Sequence, residues 1–298
     1  MSKNILVIPG SGKQGRGTCS ALTKQGFNVH ALVRDPASAN SQQLQKMDVT
    51  LHKGDLDDIT SVQASMKDIQ GLVFSILAHP FDEQRQASNV ISAAAEAGVK
   101  HIVYSSVAQT GEHEKFPGWG ENFPLSWYWL NKQAIEDMVR SSSVPAWTIL
   151  RPAFFMQNFT RPTCELMFPG LADHQELRAA YTPDTRLDLV DVVDIGVFAG
   201  EAFRKPEDFH GKALALAGES LTLAEIATRL STISGKPVKP RYLTEADVEK
   251  LRRQQWLPVE SFEWQREVGY QVDIDGLRQL GVPLRTLDDA LSKDSLGW

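Results

Sequence analysis

The 298-residue chain is 42% hydrophobic and 23% charged, with a formal net charge of −6, the make-up of an ordinary folded globular protein. That acidic balance excludes bulk electrostatic attraction for DNA, RNA or anionic lipid, while leaving room for a local cationic phosphate pocket. Cys19 and Cys164 stand outside any CxxC or Cys/His spacing, the histidines are scattered, and no long apolar run exists, so no zinc site and no membrane span is expected. The low cysteine count suits a reducing compartment, and the N-terminus runs straight into an apolar strand without a signal peptide; the expected location is the cytoplasm.

In chain order, Ile5–Ile8 is a continuous apolar run, the mark of a strand buried on both faces. A helix follows from Gln14 to Lys24, closed by Gly26. Val29–Val33 reads as a strand, Val49–His52 as a short strand, and Ile59–Met66 as a helix. Leu72–Leu77 is a strand, Asp82–Ala97 a helix stopped at Gly98, and His101–Ser105 a strand. Trp127–Ser141 is a helix and Trp147–Leu150 a strand. This alternation predicts βαβ units, and right-handed crossovers make of them a doubly wound parallel sheet of the Rossmann type.

Beyond Arg151 the rhythm changes, and prolines at 152, 162, 169 and 183 interrupt the chain. Helices are expected over Asp191–Arg204, Thr222–Ser234 and Thr244–Gln254, the last two with threonine N-caps, and a strand over Lys212–Ala217. The expected organisation is α/β: a Rossmann domain over 1–151, then a smaller, mainly helical lobe over 152–298, partly interleaved with the sheet.

Gly10-Ser11-Gly12-Lys13-Gln14-Gly15 matches GxGxxG between a buried strand and a helix. In that context the first glycine permits the tight turn, the second lets backbone approach a pyrophosphate, and the third lets helix pack on strand. The helix N-terminus then supplies N–H donors and positive potential. An NAD enzyme usually carries an acid about 20 residues further on. Here Arg34 stands there, 19 residues after Gly15, and a guanidinium suits a 2′-phosphate, with Lys13 as a second cation. The expected cofactor is NADP(H). Asp35 either contacts the ribose or pairs with Arg34. In Gly54-Asp55-Leu56-Asp57-Asp58, Asp55 can accept from the adenine amino group and Leu56 can cover the ring, while Asp57 or Asp58 caps the next helix.

These blocks, together with Gly98–His101 leading to Tyr104-Ser105-Ser106, Lys132–Glu136, Arg151–Asn158 and Asp191–Gly196, give a chain that resembles the NmrA-like family of atypical short-chain dehydrogenase/reductases along nearly its whole length. One departure is Ile8-Pro9, where the family usually has Thr-Gly. The resemblance implies that the loop carries the pyrophosphate and Arg34 the 2′-phosphate. It further implies that His79 lies near the nicotinamide ribose, that Lys132 donates to that ribose, and that Phe155, Gln157 and Asn158 border the nicotinamide. The family holds reductases of quinones and phenolic compounds, and also NADP-binding regulators that do no chemistry.

Tyr128-Trp129-Leu130-Asn131-Lys132 reads YxxxK, which puts Tyr128 and Lys132 on one helix face. There Lys132 could lower the phenol's pKa while Tyr128 protonates a carbonyl oxygen as hydride arrives. Ser106, 22 residues upstream of Tyr128, or Ser105 could orient that carbonyl. The alternatives are that Tyr128 only packs beside Trp127 and Trp129, and that the serine only bonds backbone. The aromatic, glycine-broken stretch Gly111–Trp129 either walls a flat substrate pocket or packs on the small lobe. Asp191 and Asp194 are read as capping and charging a helix start. Two functions follow as expectations: an NADPH-dependent reductase of a small aromatic or quinone-like substrate, or an NADP(H)-binding redox sensor acting through a partner protein. A homodimer is compatible with the sequence, and no stretch demonstrates one.

Overall fold

The structure, a computed structural model, describes residues 2–256 and 258–298. Six strands form in its first half: β1 (Asn4–Ile8), β2 (Asn28–Val33), β3 (Thr50–Lys53), β4 (Gly71–Phe74), β5 (His101–Ser105) and β6 (Ala146–Pro152). They are parallel, with Leu6 of β1 opposite His30 on one side and Leu72 on the other. Their order is β6-β5-β4-β1-β2-β3, and a strand at Lys212–Leu216 extends the sheet beyond β6. The connections run outward in opposite directions from β1 and β4, so a crevice opens at the carboxyl ends of those two strands. That is where ligands bind in open α/β sheets.

The crossovers are α1 (Lys13–Lys24), α2 (Ala39–Gln45), α3 (Ile59–Ser65), α4 (Glu83–Glu96) and α5 (Ser126–Ser141). Helix α2 has no counterpart in the sequence reading. It buries only Ser41 and Leu44 and begins at a Ser38 cap, so it carries no apolar stripe to detect. Strand β4 ends at Phe74, three residues short of the apolar run. The Ser75 N–H still bonds the Ile8 carbonyl, and Leu77 then turns outward, 85% exposed.

The described chain forms two compact units. One comprises Met1–His113, Ser126–Pro152 and Val192–Ala215; the other comprises Glu114–Leu125, Ala153–Asp191 and Leu216–Trp298. The second unit holds two small sheets that the sequence reading lacked. One joins Glu219–Thr222, Arg186–Val190 and Phe154–Phe155; the other pairs Glu176–Ala179 with Lys239–Tyr242. Strands of two to five residues give little alternation to read. Its helices Leu223–Ser234 and Glu245–Arg253 begin as expected, with Thr222 and Thr244 closing capping boxes with Glu225 and Asp247. Stacked Phe159, Phe168 and Phe262 run through its core.

Among the described residues no helix is long and apolar enough to cross a membrane, and no three potential ligands gather to hold a metal. Both cysteines are buried thiols, and burial pushes Cys19 up to about 12.

His101 opens β5 in the core, its Nε2 2.8 Å from the Thr148 hydroxyl. That hydroxyl donates to the Phe209 carbonyl, so the ring carries a proton on Nε2 and donates it to Thr148. Burial is the first cause that lowers its pKa from 6.5 to about 4. The unfolded chain therefore binds a proton below pH 6.5 that the folded chain refuses until about pH 4. Stability from this site is complete above that window and falls through it by about 3 kcal/mol. Urea unfolding across the window should show a shallower pH slope in His101→Leu than in the parent chain.

Candidate functional site

The glycine loop follows β1. The Gly10 N–H donates to the Leu32 carbonyl at 2.9 Å, tying the turn to β2. A Cβ on Gly15 would stand 2.0 Å from the Pro9 carbonyl oxygen and 2.6 Å from that of Gly10, so only glycine lets α1 lie this close. Gly12 is the opposite case: a Cβ there would meet nothing within 4 Å. Gly12 is also the N-cap of α1, with no side-chain cap and no acid in the first turn. No N-cap side chain covers the leading N–H groups of α1, and the positive end of its dipole faces the loop. Arg16 Nη1 donates to the Ser11 carbonyl at 2.7 Å and braces the loop, and burial lowers its pKa. Half-buried Lys13 and Gln14 open the helix. This cradle can take a pyrophosphate: its open side is backbone and cation, and its closed side is steric contact.

Arg34 leaves β2 exposed. The Asp35 carboxylate accepts from the Ala37 N–H at 2.9 Å, which shapes the turn, and Arg34 makes no ion pair among the described residues. At the end of β3, Asp55 is exposed and accepts from the Asp57 N–H at 3.0 Å. Leu56 packs half-buried on the sheet core. Asp58 caps α3 through the Thr60 N–H, and Asp57 pairs with Arg85 at 2.9 Å.

Lys132 lies on the buried face of α5. Its ammonium sits 2.6 Å from Glu83 Oε1, donates to the Ile76 carbonyl at 3.4 Å and lies 5.5 Å from the Tyr128 ring centre. Asn131 links this pair to the loop after β4, donating to the His79 carbonyl at 3.1 Å and reaching Glu83 at 3.5 Å. Gln84 donates to Asn131 in turn. Glu83 is the residue sequence reasoning missed. At the start of α4 it reads as an ordinary acid facing a helix dipole. A signal existed: Lys132 shares a face with Ile135 and Val139, and a lysine on an apolar stripe needs a buried counter-ion.

Tyr128 is half-buried, edge-on to Trp127 and Trp129 at 6.1 and 5.3 Å. The Ser106 hydroxyl is buried 3.2 Å from Thr110 Oγ1, and Thr110 donates to the Val107 carbonyl. Ser106 is therefore the donor to Thr110, and its oxygen keeps only acceptor capacity in this arrangement. Ser105 and Tyr104 bury hydroxyls without a hydrogen-bond partner among the described residues. Burial first, then the charges of Glu83 and Glu136, push the Tyr104 phenol well above its ordinary pKa. His79 is exposed and its Nδ1 accepts from the Asp82 N–H. Leu77 and Phe81 flank it, each more than four-fifths exposed, so this loop offers apolar surface.

Phe155, Gln157 and Asn158 belong to the second unit, all half-buried at the turn Met156–Phe159 or just before it. Gln157 donates to Asp191 Oδ1 at 2.8 Å, and Arg285 pairs with Asp191 Oδ2 at 2.9 Å. Asp191 is thus a buried ion-pair member, more than the simple helix cap expected; Asp194 does lie in the first turn of Val192–Arg204. In the aromatic stretch, Phe116 is buried against Trp119, Phe123 and Trp264, all of the second unit. For Phe116 the packing alternative holds.

A family model described as the NmrA-like family matches residues 1–280. An NAD(P)H azoreductase of Xenophilus azovorans is 30% identical over 241 residues, 79% of this chain and 75% of that protein. Two solved structures share the fold. An NADPH-dependent quinone oxidoreductase of Escherichia coli, complexed with NADPH, has a TM-score of 0.72 at 24% identity, covering 96% of this chain and 97% of that one. A negative transcriptional regulator in complex with NAD has a TM-score of 0.79 at 20% identity, covering 99% and 96%.

Proposed function

The chain belongs to the NmrA-like family, and on that premise we propose that it is an NADPH-dependent reductase of a flat aromatic carbonyl or quinone. The observation that carries the cofactor half is Arg34: an exposed cation at the end of β2 that makes no ion pair among the described residues, its neighbour Asp35 being turned to the Ala37 N–H, in a chain of net charge −6. The uncapped, open N-terminus of α1 at Gly12 supports a pyrophosphate beside it. When bound, the dinucleotide supplies the hydride. Tyr128 then donates its phenolic proton to the substrate oxygen and recovers it from solvent. Lys132, held by Glu83, binds the nicotinamide ribose. Ser106 turns its hydroxyl from Thr110 to the substrate. Leu77 and Phe81 offer the apolar surface a flat substrate needs. Asp55 and Leu56 receive the adenine. His79, after β4, borders the nicotinamide end.

A second reading, an NADP(H) sensor without chemistry, is favoured by one observation. Glu83 balances the Lys132 charge at 2.6 Å, so less of that field reaches the Tyr128 phenol.

The cofactor proposal is tested by titrating the chain and Arg34→Gln with NADPH and NADH. The variant should lose about 10- to 100-fold in NADPH affinity while NADH binding stays within a factor of about two. Equal losses for both would remove Arg34 from the 2′-phosphate site.

A further inference from the structure

Ten residues of the second unit line a pocket of about 580 Å³ that none of the roles above uses, a volume inside the usual ~300–1,000 Å³ range for small ligands. Its wall is built on the pair of parallel strands Glu176–Ala179 and Lys239–Tyr242, in which Arg178 stands directly opposite Arg241. Like charges in that position repel. Lys250, from the helix Glu245–Arg253, adds a third cation to the same lining.

The acids at hand are engaged. Glu176 accepts from Arg178 Nε at 2.8 Å and reaches Arg241 Nη1 only at 3.7 Å. The bond from Arg178 is the first cause holding its carboxyl below the usual range. Asp247 accepts from the Thr244 N–H at 3.0 Å and from its hydroxyl at 2.8 Å, and is spent on the helix cap. Three cations thus face two committed carboxylates, which leaves one positive charge for a ligand. The rest of the lining is Gln254 and Gln255 on its polar side and an apolar wall of Pro169, Leu243, Leu251 and Trp256. Trp256 is fixed, its N–H donating to the Leu166 carbonyl at 3.0 Å and its ring edge-on to Phe262, so it is a rigid flat wall.

We propose that this pocket binds a small aryl carboxylate, with the carboxylate between Arg178, Arg241 and Lys250 and the ring against Trp256, Leu243 and Leu251. A planar monoanion matches both the guanidinium fork and the single surplus charge. The proposal does not rest on the dinucleotide reading.

The test is calorimetric titration of the full chain with 2-naphthoate and with the neutral 2-naphthalenemethanol, repeated on Arg241→Gln/Lys250→Gln. Naphthoate should bind saturably and at least about tenfold more tightly than the alcohol, and the double variant should lose about tenfold. Both substituted side chains are exposed, so the thermal midpoint should hold; if it drops, Lys250→Gln alone carries the test. Absence of saturable binding, equal affinity for the alcohol, unchanged affinity in the variant, or displacement of naphthoate by NADPH would each overturn the proposal.

Discussion

Replacing Glu83 by alanine should cost about 3–5 kcal/mol of stability, the range for removing one partner of a buried ion pair. Glu83 is fully buried and Lys132 is 5% exposed. Without the carboxylate, the ammonium keeps the Ile76 carbonyl at 3.4 Å and faces a void where a charge had been matched. Asn131 loses an acceptor as well, and with it part of its hold on the His79 carbonyl. The loss should be readable by urea unfolding. Glu83→Leu/Lys132→Met should be more stable than Glu83→Ala, because removing both charges leaves neither unmatched. A single-variant loss under about 1 kcal/mol would contradict the burial of a true ion pair, as would a double variant less stable than the single. If Glu83→Ala does not fold, the double variant alone decides.

The second large effect separates two glycines of one loop. Gly15→Ala puts a methyl 2.0 Å from a backbone oxygen, where no flexible side chain can yield. Helix α1 must lift from β1, at a cost of about 3 kcal/mol or more, the upper end for overpacking. Gly12→Ala meets no protein atom within 4 Å, and the chain should unfold within about 0.5 kcal/mol of the parent, as at an uncrowded surface site. Yet if Gly12 is where backbone meets pyrophosphate, its methyl should lower NADPH affinity by about 100-fold. Thermal unfolding and cofactor titration of both variants check the pair. A Gly12 variant that binds NADPH normally would remove the phosphate from this loop. A Gly15 variant of normal stability would refute the packing of α1.

The alternating frame was legible because the central strands β1, β4 and β5 are buried apolar runs and the helices α1 and α4 stop at Gly26 and Gly98. The loop was legible because its three glycines have separate steric reasons, two of which are visible as contacts at Gly15 and openness at Gly12. Helix α2 and the strands of the second unit were not, since segments of two to seven residues are too short to show a period. Glu83 was invisible for another reason: its partner is 49 positions away in the chain, and pairing across two helices writes no local pattern. The bond that commits the Ser106 hydroxyl to Thr110 is likewise a matter of geometry that spacing cannot reveal.

The most direct test of the reductase reading is NADPH oxidation with a panel of quinones and aromatic ketones, comparing the parent chain with Tyr128→Phe at saturating cofactor. The account predicts turnover that falls by about 10²- to 10⁴-fold in the variant, the share a positioned general acid contributes, with NADPH affinity unchanged. Tight NADPH binding with no turnover on any member of the panel, indifferent to the substitution, would contradict it and leave the sensor reading.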